Sequence, residues 1–243
     1  MFPSVIIQDK KIASFIFGQE INEETFQHVE AFDQFINNKY KKHLVETVPT
    51  YHMVTVFFNK EIAQDQSLLT DIVNKWNQLE VQLQSSISRK ITIPVCYDTQ
   101  FAFDLERVAE ELGLTTEQII KKHSEPTYKV YLIGFLPGFP YLGGLNKELF
   151  VPRLDKPRKS VEKGSVGIGG RQTGIYPVTS PGGWNIIGKT PIDLFDVNRD
   201  PAFLLQPGDQ ITFKSISIDD FYKVKESMEE NPQNILNIID TKI

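Results

Sequence analysis

The chain has 243 residues, 40% hydrophobic and 23% charged, with a formal net charge of −5 at pH 7. This length supports one large domain or two modest ones, and the composition is that of an ordinary globular protein rather than a disordered or fibrous one. The acidic balance does not indicate a nucleic-acid-binding surface. The single cysteine, Cys96, cannot form an internal disulfide, which is typical of a reducing compartment.

Neither a membrane span nor an export signal is predicted. The uncharged apolar run at residues 130–145 is interrupted by Pro137 and Pro140 and is shorter than the roughly 20 apolar residues that cross a bilayer. The amino terminus reaches charged residues at Asp9 and Lys10, too early for a signal peptide. We therefore expect a cytoplasmic protein.

The first part of the chain is predicted to be a small α+β domain, residues 1–93. Hydrophobic periodicity predicts strands at residues 12–17, 52–58 and 91–97 and helices at residues 22–38 and 68–83. This alternating order suits a small sheet that carries its helices on one face.

Two short amphipathic helices are predicted within residues 104–123, separated by a stop at Gly113. Their spacing resembles a DNA-binding helix-turn-helix. The segment contains five acidic residues against Arg107, Lys121 and Lys122, whereas a phosphate-binding surface needs the opposite balance. A helical insertion is therefore favoured over DNA binding.

Glycine usage changes sharply along the chain. Only Gly18 precedes residue 113, whereas twelve of the fifteen glycines lie between Gly134 and Gly188. From residue 129 onward, short apolar segments alternate with Pro and Gly clusters, a pattern typical of an all-β barrel or sandwich. We predict a barrel domain over residues 94–218 that includes the helical insertion, followed by a helix and tail over residues 219–243.

Two apparent chemical motifs are weak. Residues 183–190 match the phosphate-binding pattern G-x-x-x-x-G-K-T, but bulky residues such as Trp184 fill the loop and a strand rather than a helix is predicted after Lys189. None of the four histidines forms a closely spaced metal pair, so no dedicated metal site is predicted. His123 ends a helix just before the glycine-rich region; it is either a proton carrier or a histidine stabilised by the helix dipole.

The glycine-rich loops are the best candidate for a ligand site. Glycine permits close backbone approach and proline fixes the flanking geometry, although a barrel whose corners merely need glycine is the alternative. Arg153 and Arg158 are suited to clamp a carboxylate or phosphate. The other candidate substrate-binding residues are Gly169, Gly170, Gln172, Thr173, Tyr176 and Ser180, and the candidate pocket-lining aromatic residues are Phe135, Phe139 and Trp184.

Six segments resemble the family of allophanate hydrolase subunit 1, whose members include 5-oxoprolinase subunits and kinase inhibitors of the KipI type. They are HS at 123–124, GFLPGFPYLGGL at 134–145, PR at 152–153 and 157–158, GSVGIGGRQTGIYP at 164–177 and SPGGWNIIGKTP at 180–191. Weaker similarity covers the amino-terminal domain and the helix pair, so the resemblance spans essentially the whole chain. Two residues depart from the family pattern, and both lie outside the candidate pocket. Relatives usually carry proline at the position of Glu162 and often carry glycine at the position of Phe103.

The resemblance implies a small α/β domain followed by a cyclophilin-like β-barrel. It also implies a heteromeric, ATP-dependent complex with A and C subunits, the C subunit being a KipA-like subunit 2 relative, that cleaves 5-oxo-L-proline to L-glutamate. In that complex His123 is expected to move a proton, and ATP is a co-substrate whose site is not assigned to this chain. The alternatives are an inhibitor of a sensor histidine kinase and a subunit of a urea or allophanate type of amide hydrolase.

Overall fold

The computed structural model describes residues 2–18, 23–62, 66–79, 88–232, 234–235 and 239–240. The chain divides into two compact units, residues 1–86 and residues 87–243. Among the helices in the described ranges, none is both long enough and apolar enough to cross a membrane.

The first unit contains a four-stranded antiparallel sheet with strand order β1-β2-β4-β3 and two helices. Its elements are β1 (Ser4–Asp9), β2 (Ile12–Ile16), α1 (Glu23–Tyr40), β3 (Leu44–Pro49), β4 (Met53–Phe58) and α2 (Ser67–Asn77). Alternate residues of β4, Val54, Val56 and Phe58, are buried because successive side chains of a strand point to opposite faces. They share one core with Phe32 of α1 and Trp76 of α2.

Most elements predicted for the first unit are confirmed, with three differences. Strands β1 and β3 were not predicted, and α2 ends at Asn77 instead of continuing to residue 83. Residues 80–83 of the predicted helix lie outside the described residues. The predicted strand at residues 91–97 is present as β5 (Lys90–Cys96), but it pairs with strands of the second unit.

The second unit is built around a closed barrel of seven strands in the order β12-β9-β10-β7-β6-β13-β5, closed by pairing of β12 with β5. The remaining strands of this barrel are β6 (Thr127–Ile133), β7 (Pro140–Gly143), β9 (Ser165–Gly169), β10 (Gln172–Ile175), β12 (Asn185–Lys189) and β13 (Gln210–Ile216). Strand β14 (Ile239–Asp240) adds to β5, and β8 (Arg158–Val161) pairs separately with β11 (Ser180–Gly182). The predicted α+β class with a carboxy-terminal barrel is confirmed.

Strand β5 explains where the second unit begins. It runs parallel to β13 through seven paired positions, from Gln210 opposite Lys90 to Ile216 opposite Cys96. The predicted domain boundary at residue 93 therefore falls inside a barrel strand, and the division lies at residues 86 and 87 instead. Helix α5 (Ile218–Glu230) follows β13 directly and belongs to the same unit, whereas the sequence analysis separated it from the barrel at residue 219.

Both helices of the predicted insertion are present, as α3 (Leu105–Leu112) and α4 (Thr116–Ser124). Helix α3 ends at Gly113, whose φ of 65° lies in the left-handed region that favours glycine. Helix α4 begins with a capping box, in which Thr115 and Gln118 each bond the other's backbone N–H. These signals fix the ends of the two helices, and His123, near the carboxyl end of α4, is buried against the barrel.

Side-chain alternation in β9 and β10 separates two environments. Val166, Ile168 and Ile175 point into the large core of the second unit. The intervening glycines lie on the other face, where Trp184 and Tyr176 form part of a smaller cluster. Residues that are adjacent in this glycine-rich sequence therefore lie on opposite sides of the barrel wall.

Candidate functional site

An aromatic cluster covers the outer face of β9 and β10. Phe139 lies at its centre, with edge-to-face contacts at centroid distances of 5.2 Å to Tyr141, 5.6 Å to Tyr176 and 5.4 Å to Trp184. Such geometry is favourable for aromatic rings beyond the burial of their area. Phe139 and Trp184, predicted to line a pocket, are thus brought together, but both are buried and serve chiefly as the floor of this surface.

The glycines of the GSVGIGG segment make room for Trp184. A Cβ atom on Gly169 would lie 2.6 Å from Trp184 Cδ1, and one on Gly174 would lie 3.0 Å from Cζ3. Gly170 has a different role, because its φ of 66° starts the tight turn between β9 and β10. Ring packing and turn geometry account for these glycines without a ligand.

Replacing Gly169 with Ala is therefore expected to destabilise the second unit by roughly 1–3 kcal/mol, the usual cost of overpacking a well-packed site. Trp184 is 5% exposed and has little room to move. Gly183→Ala is the matched control, because a Cβ there would lie 3.5 Å from its nearest neighbour, an ordinary contact. Urea unfolding of the two variants would show the difference; equal midpoints would contradict this account of the glycine.

Both predicted arginines border the aromatic cluster. The Arg153 guanidinium carbon lies 5.8 Å from the centre of the Trp184 ring, and Arg158 lies opposite Gly182 in the pairing of β8 with β11. Tyr176 lies close to both arginines. Its side chain contacts Gly182, the pairing partner of Arg158, and the positive charges of Arg153 and Arg158 both lower the pKa of its hydroxyl. Burial raises the pKa of Tyr176, while the Trp184 backbone N–H and both arginines oppose that rise, so the hydroxyl is neutral at physiological pH.

Asp104 positions Arg158, and the sequence analysis missed it. Asp104 Oδ1 accepts a hydrogen bond of 2.8 Å from Arg158 Nη2, and Oδ2 accepts one of 2.6 Å from the Ile186 N–H. The Asp104 N–H donates back to the Ile186 carbonyl at 2.9 Å. An aspartate before a helix suggests an N-cap, but the Asp104 side chain makes no capping bond and instead links α3 to β12 and β8.

The pairing with Asp104 leaves one nitrogen of Arg158 unused. Within the described part of the chain, Arg158 Nη1 is buried and has no hydrogen-bond partner. An unsatisfied buried donor is costly, and for a guanidinium the natural partner is a carboxylate or phosphate oxygen. Arg153 and Arg158 both act electrostatically on the Tyr176 hydroxyl, which makes an anion site the best interpretation of the cluster.

Arg107, from the helix pair at residues 104–123, supports the same wall. Arg107 Nη2 donates to Asn185 Oδ1, and the Asn185 amide donates to the carbonyls of Pro152 and Ile168 at 2.8 and 3.0 Å. Asn185 is fully buried, and these bonds hold the segment that leads to Arg153. Neither Arg107 nor Asn185 was predicted as a site residue, because their sequence neighbours give no sign of this contact.

His123 lies inside the barrel and away from this surface. It is fully buried, stacks on Phe213 at 4.6 Å, and bonds Tyr97 through Nδ1 at 2.7 Å and Thr173 through Nε2 at 2.8 Å. The one hydroxyl proton of Thr173 goes to the Gly167 carbonyl at 3.0 Å. Thr173 must therefore accept from Nε2–H, and Nδ1 must accept from the Tyr97 hydroxyl.

Burial lowers the pKa of His123 to about 3, so the imidazole is neutral at physiological pH. A neutral ring gains little from the helix dipole, and a ring enclosed by Tyr97, Thr173 and Phe213 does not reach a ligand on the outer face. The geometry disfavours both interpretations of His123 from the sequence and makes it a polar link between α4 and the barrel. Thr173, a predicted substrate ligand, lies in the same interior.

The remaining predicted residues are scattered around the cluster. Gln172 begins β10 opposite Gly169 at the turn, and Ser180 pairs with Val161 at the end of β11 away from Arg158. The phosphate-loop pattern at residues 183–190 is excluded, because β12 occupies it as a barrel strand. The strand predicted after Lys189 is wrong, since β12 ends at Lys189 and the next strand along the chain is β13. Lys189, its lysine, pairs with Glu162 at 2.5 Å and lies over Phe101.

Phe135 occupies an unusual loop between β6 and β7. Its φ of 69° is the only positive value of a non-glycine residue within the described ranges. The Leu136 N–H bonds the Gly134 carbonyl at 2.8 Å, which closes a γ-turn centred on Phe135. This conformation costs roughly 1–2 kcal/mol for a residue with a side chain. Phe135 is 69% exposed, and its ring contacts the Phe139 ring at a centroid distance of 5.7 Å, so it does not line a closed pocket.

Comparison with known proteins identifies the family. Residues 7–205 match the family described as "Carboxyltransferase domain, subdomain C and D". The chain belongs to this family. It is 39% identical over 221 residues to the 5-oxoprolinase B subunit of Bacillus subtilis, covering 86% of this chain and 91% of that relative. The family resemblance predicted from the motifs is thereby confirmed.

Two solved structures share the fold. The protein named TTHA0988 superimposes with a TM-score of 0.73 at 32% identity over 85% of this chain, and this chain spans only 40% of the length of that one. Kluyveromyces lactis urea carboxylase superimposes with a TM-score of 0.74 over 97% of this chain and 26% of its own, but at 16% identity the likeness shows the fold alone. In both, the same fold is part of a longer polypeptide.

Proposed function

We propose that this chain is the B subunit of an ATP-dependent 5-oxoprolinase and acts with A and C subunits. The observation that carries the proposal is the 39% identity to the Bacillus subtilis protein of that name over nearly its whole length. Arg153 and Arg158, which both act on the Tyr176 hydroxyl, support the proposal, because guanidinium groups suit the carboxylate of 5-oxo-L-proline.

The reaction explains why ATP is needed. A ring amide is a poor electrophile, and transfer of the γ-phosphoryl group to its oxygen releases ADP and makes the ring carbon susceptible to water. Breaking the C–N bond then frees the amine, and a second water releases phosphate, giving L-glutamate. This chain's share in the scheme is to bind and orient the substrate; no ATP site is assigned to it.

Arg153 provides the accessible half of the proposed clamp. Its side chain is exposed over Trp184, so Arg153→Ala is expected to leave folding unchanged. A hydrogen bond to a charged group contributes about 1.5–3 kcal/mol, so the KM for 5-oxoproline should rise about tenfold or more in the assembled complex. Arg171→Ala is the control, because Arg171 is also exposed and lies over an aromatic ring, that of Phe150, at 5.8 Å. Equal KM values for the two variants would argue against the clamp.

The proposed function is tested by 5-oxoproline-dependent ATP hydrolysis and glutamate release. The assay compares this chain alone with the chain co-expressed with A and C subunits. Activity only in the mixture is the expected result. No activity in any mixture would overturn the proposal and favour the alternative of a histidine-kinase inhibitor. That alternative is tested by measuring autophosphorylation of the kinase with and without this chain.

A further inference from the structure

The backbone on either side of Arg153 is fixed by hydrogen bonds. The Pro152 carbonyl accepts a bond of 2.8 Å from the Asn185 side-chain amide, and the Leu154 N–H donates one of 2.7 Å to the Gly183 carbonyl. Arg153 itself is exposed and lies outside any helix or strand. Such segments are usually the mobile parts of a domain, so a fixed backbone here indicates that the direction of the Arg153 guanidinium matters.

Asn185 connects this segment to helix α3. Its amide nitrogen also donates to the Ile168 carbonyl at 3.0 Å, which uses both of its N–H groups, and its Oδ1 accepts from Arg107 Nη2. Asn185 is fully buried. A buried amide can turn only by giving up all of these bonds, so Arg107 fixes the orientation in which Asn185 holds Pro152.

The same network reaches Arg158, the other arginine of the site. Arg107 Nε lies 3.8 Å from Asp104 Oδ1, the oxygen that accepts the hydrogen bond from Arg158 Nη2. Asp104 and Arg107 are three residues apart at the start of α3, so they lie on one face of the helix. The start of α3 therefore holds Arg158 through Asp104, and the segment of Arg153 through Arg107 and Asn185.

Arg107 also has a partner outside this network. Its Nη1 donates to Glu111 Oε2 at 2.8 Å, and both side chains are largely exposed. An exposed pair of this kind contributes little to stability. Glu111 therefore offers a matched control, because a change there removes one bond of Arg107 and leaves its bond to Asn185 in place.

We infer that Arg107 and Asn185 are positioning residues, which hold the Arg153 guanidinium where it meets the carboxylate of the substrate. The inference rests on the proposed function. Asn185 is fully buried, so it acts through the Pro152 backbone and not on the substrate. A misdirected guanidinium loses the geometry that a charge-assisted hydrogen bond to a carboxylate needs. The expected effect is weaker binding of 5-oxoproline, with turnover little changed.

The test is steady-state kinetics of the assembled complex in which this chain carries Arg107→Gln. The KM for 5-oxoproline is expected to rise about fivefold, with kcat within about twofold of wild type. Thermal melting of the free chain checks that the variant is folded, as expected for a change at an exposed residue. Arg107→Lys keeps the charge but lacks the fork of the guanidinium, so its KM should be intermediate. Glu111→Gln should keep the wild-type KM.

A double variant decides whether Arg107 acts through Arg153. Added to Arg153→Ala, Arg107→Gln should raise the KM no further, because the side chain that it positions is absent. Increases in KM that multiply in the double variant would overturn the inference, as would a wild-type KM in both Arg107 variants. Either result in an active complex leaves the proposed function standing. A wild-type complex that releases no glutamate would overturn both.

Discussion

Lowering the pH from 7.5 to 5 is expected to reduce the free energy of unfolding of the second unit by about 2 kcal/mol through His123 alone. Burial holds the pKa of His123 at about 3 in the folded chain, below its ordinary value of 6.5. At a pH between these two values, His123 therefore binds a proton in the unfolded chain and not in the folded chain. This contribution to stability is complete above pH 6.5 and is lost as the pH falls from about 6.5 toward 3.

The measurement is urea unfolding at several pH values, monitored by the fluorescence of Trp184. Trp76 is replaced by Phe in all variants, so that Trp184 is the only source of the signal. His123→Phe keeps a ring against Phe213 and should remove most of the His123 pH dependence. His43→Ala changes an exposed histidine of the first unit and should leave the pH dependence of the second unit intact. A wild-type slope unchanged by His123→Phe would show that His123 is not buried as a neutral group.

The same variant separates the two roles considered for His123. If it carries a proton in the reaction, His123→Phe should abolish turnover in the assembled complex even where the chain is folded. If it links α4 to the barrel, folded His123→Phe should keep turnover within a fewfold of wild type, since Tyr97 and Thr173 lose only one partner each. We expect the second result.

Replacing Asp104 with Ala is expected to destabilise the second unit by about 2–4 kcal/mol, because each buried donor that is left without its acceptor costs roughly 1–3 kcal/mol and Arg158 is itself only partly buried. Asp104 is 4% exposed, and its loss leaves both Arg158 and the Ile186 N–H without their carboxylate. Asp104→Asn retains an acceptor and a similar shape, so it should cost less and yield a folded protein. Asp155→Ala, at an exposed aspartate of the same unit, is the control for stability.

Asp104→Asn also tests the positioning of Arg158. If Asp104 directs the guanidinium toward the substrate carboxylate, the variant should raise the KM for 5-oxoproline about tenfold and change kcat little, because ground-state and transition-state binding are weakened alike. Arg158→Lys should show the same pattern, since a single ammonium cannot bond Asp104 and a substrate with the same fork geometry. An unchanged KM in both variants would exclude this role.

The site was only partly predictable from sequence. The glycines in residues 164–170 marked an unusual region, and Arg153 and Arg158 do border one cluster with Tyr176. A glycine in the sequence does not indicate whether a ligand or a neighbouring side chain occupies the space next to it. Only the structure shows that the Trp184 ring packs against these glycines. Asp104 was missed because its partners, Arg158 and Ile186, are 54 and 82 residues away in the chain.

Local pattern by itself determined the α+β class, most helices and strands, the stop at Gly113 and the motifs that point to the family, because these depend on neighbouring residues. Only the tertiary structure decided that Lys90–Cys96 belongs to the barrel and that His123 and Arg158 lie on opposite sides of its wall. Strand partners and barrel faces are set by which long-range pairings bury the most apolar surface, and that choice is not encoded in the spacing of any one segment.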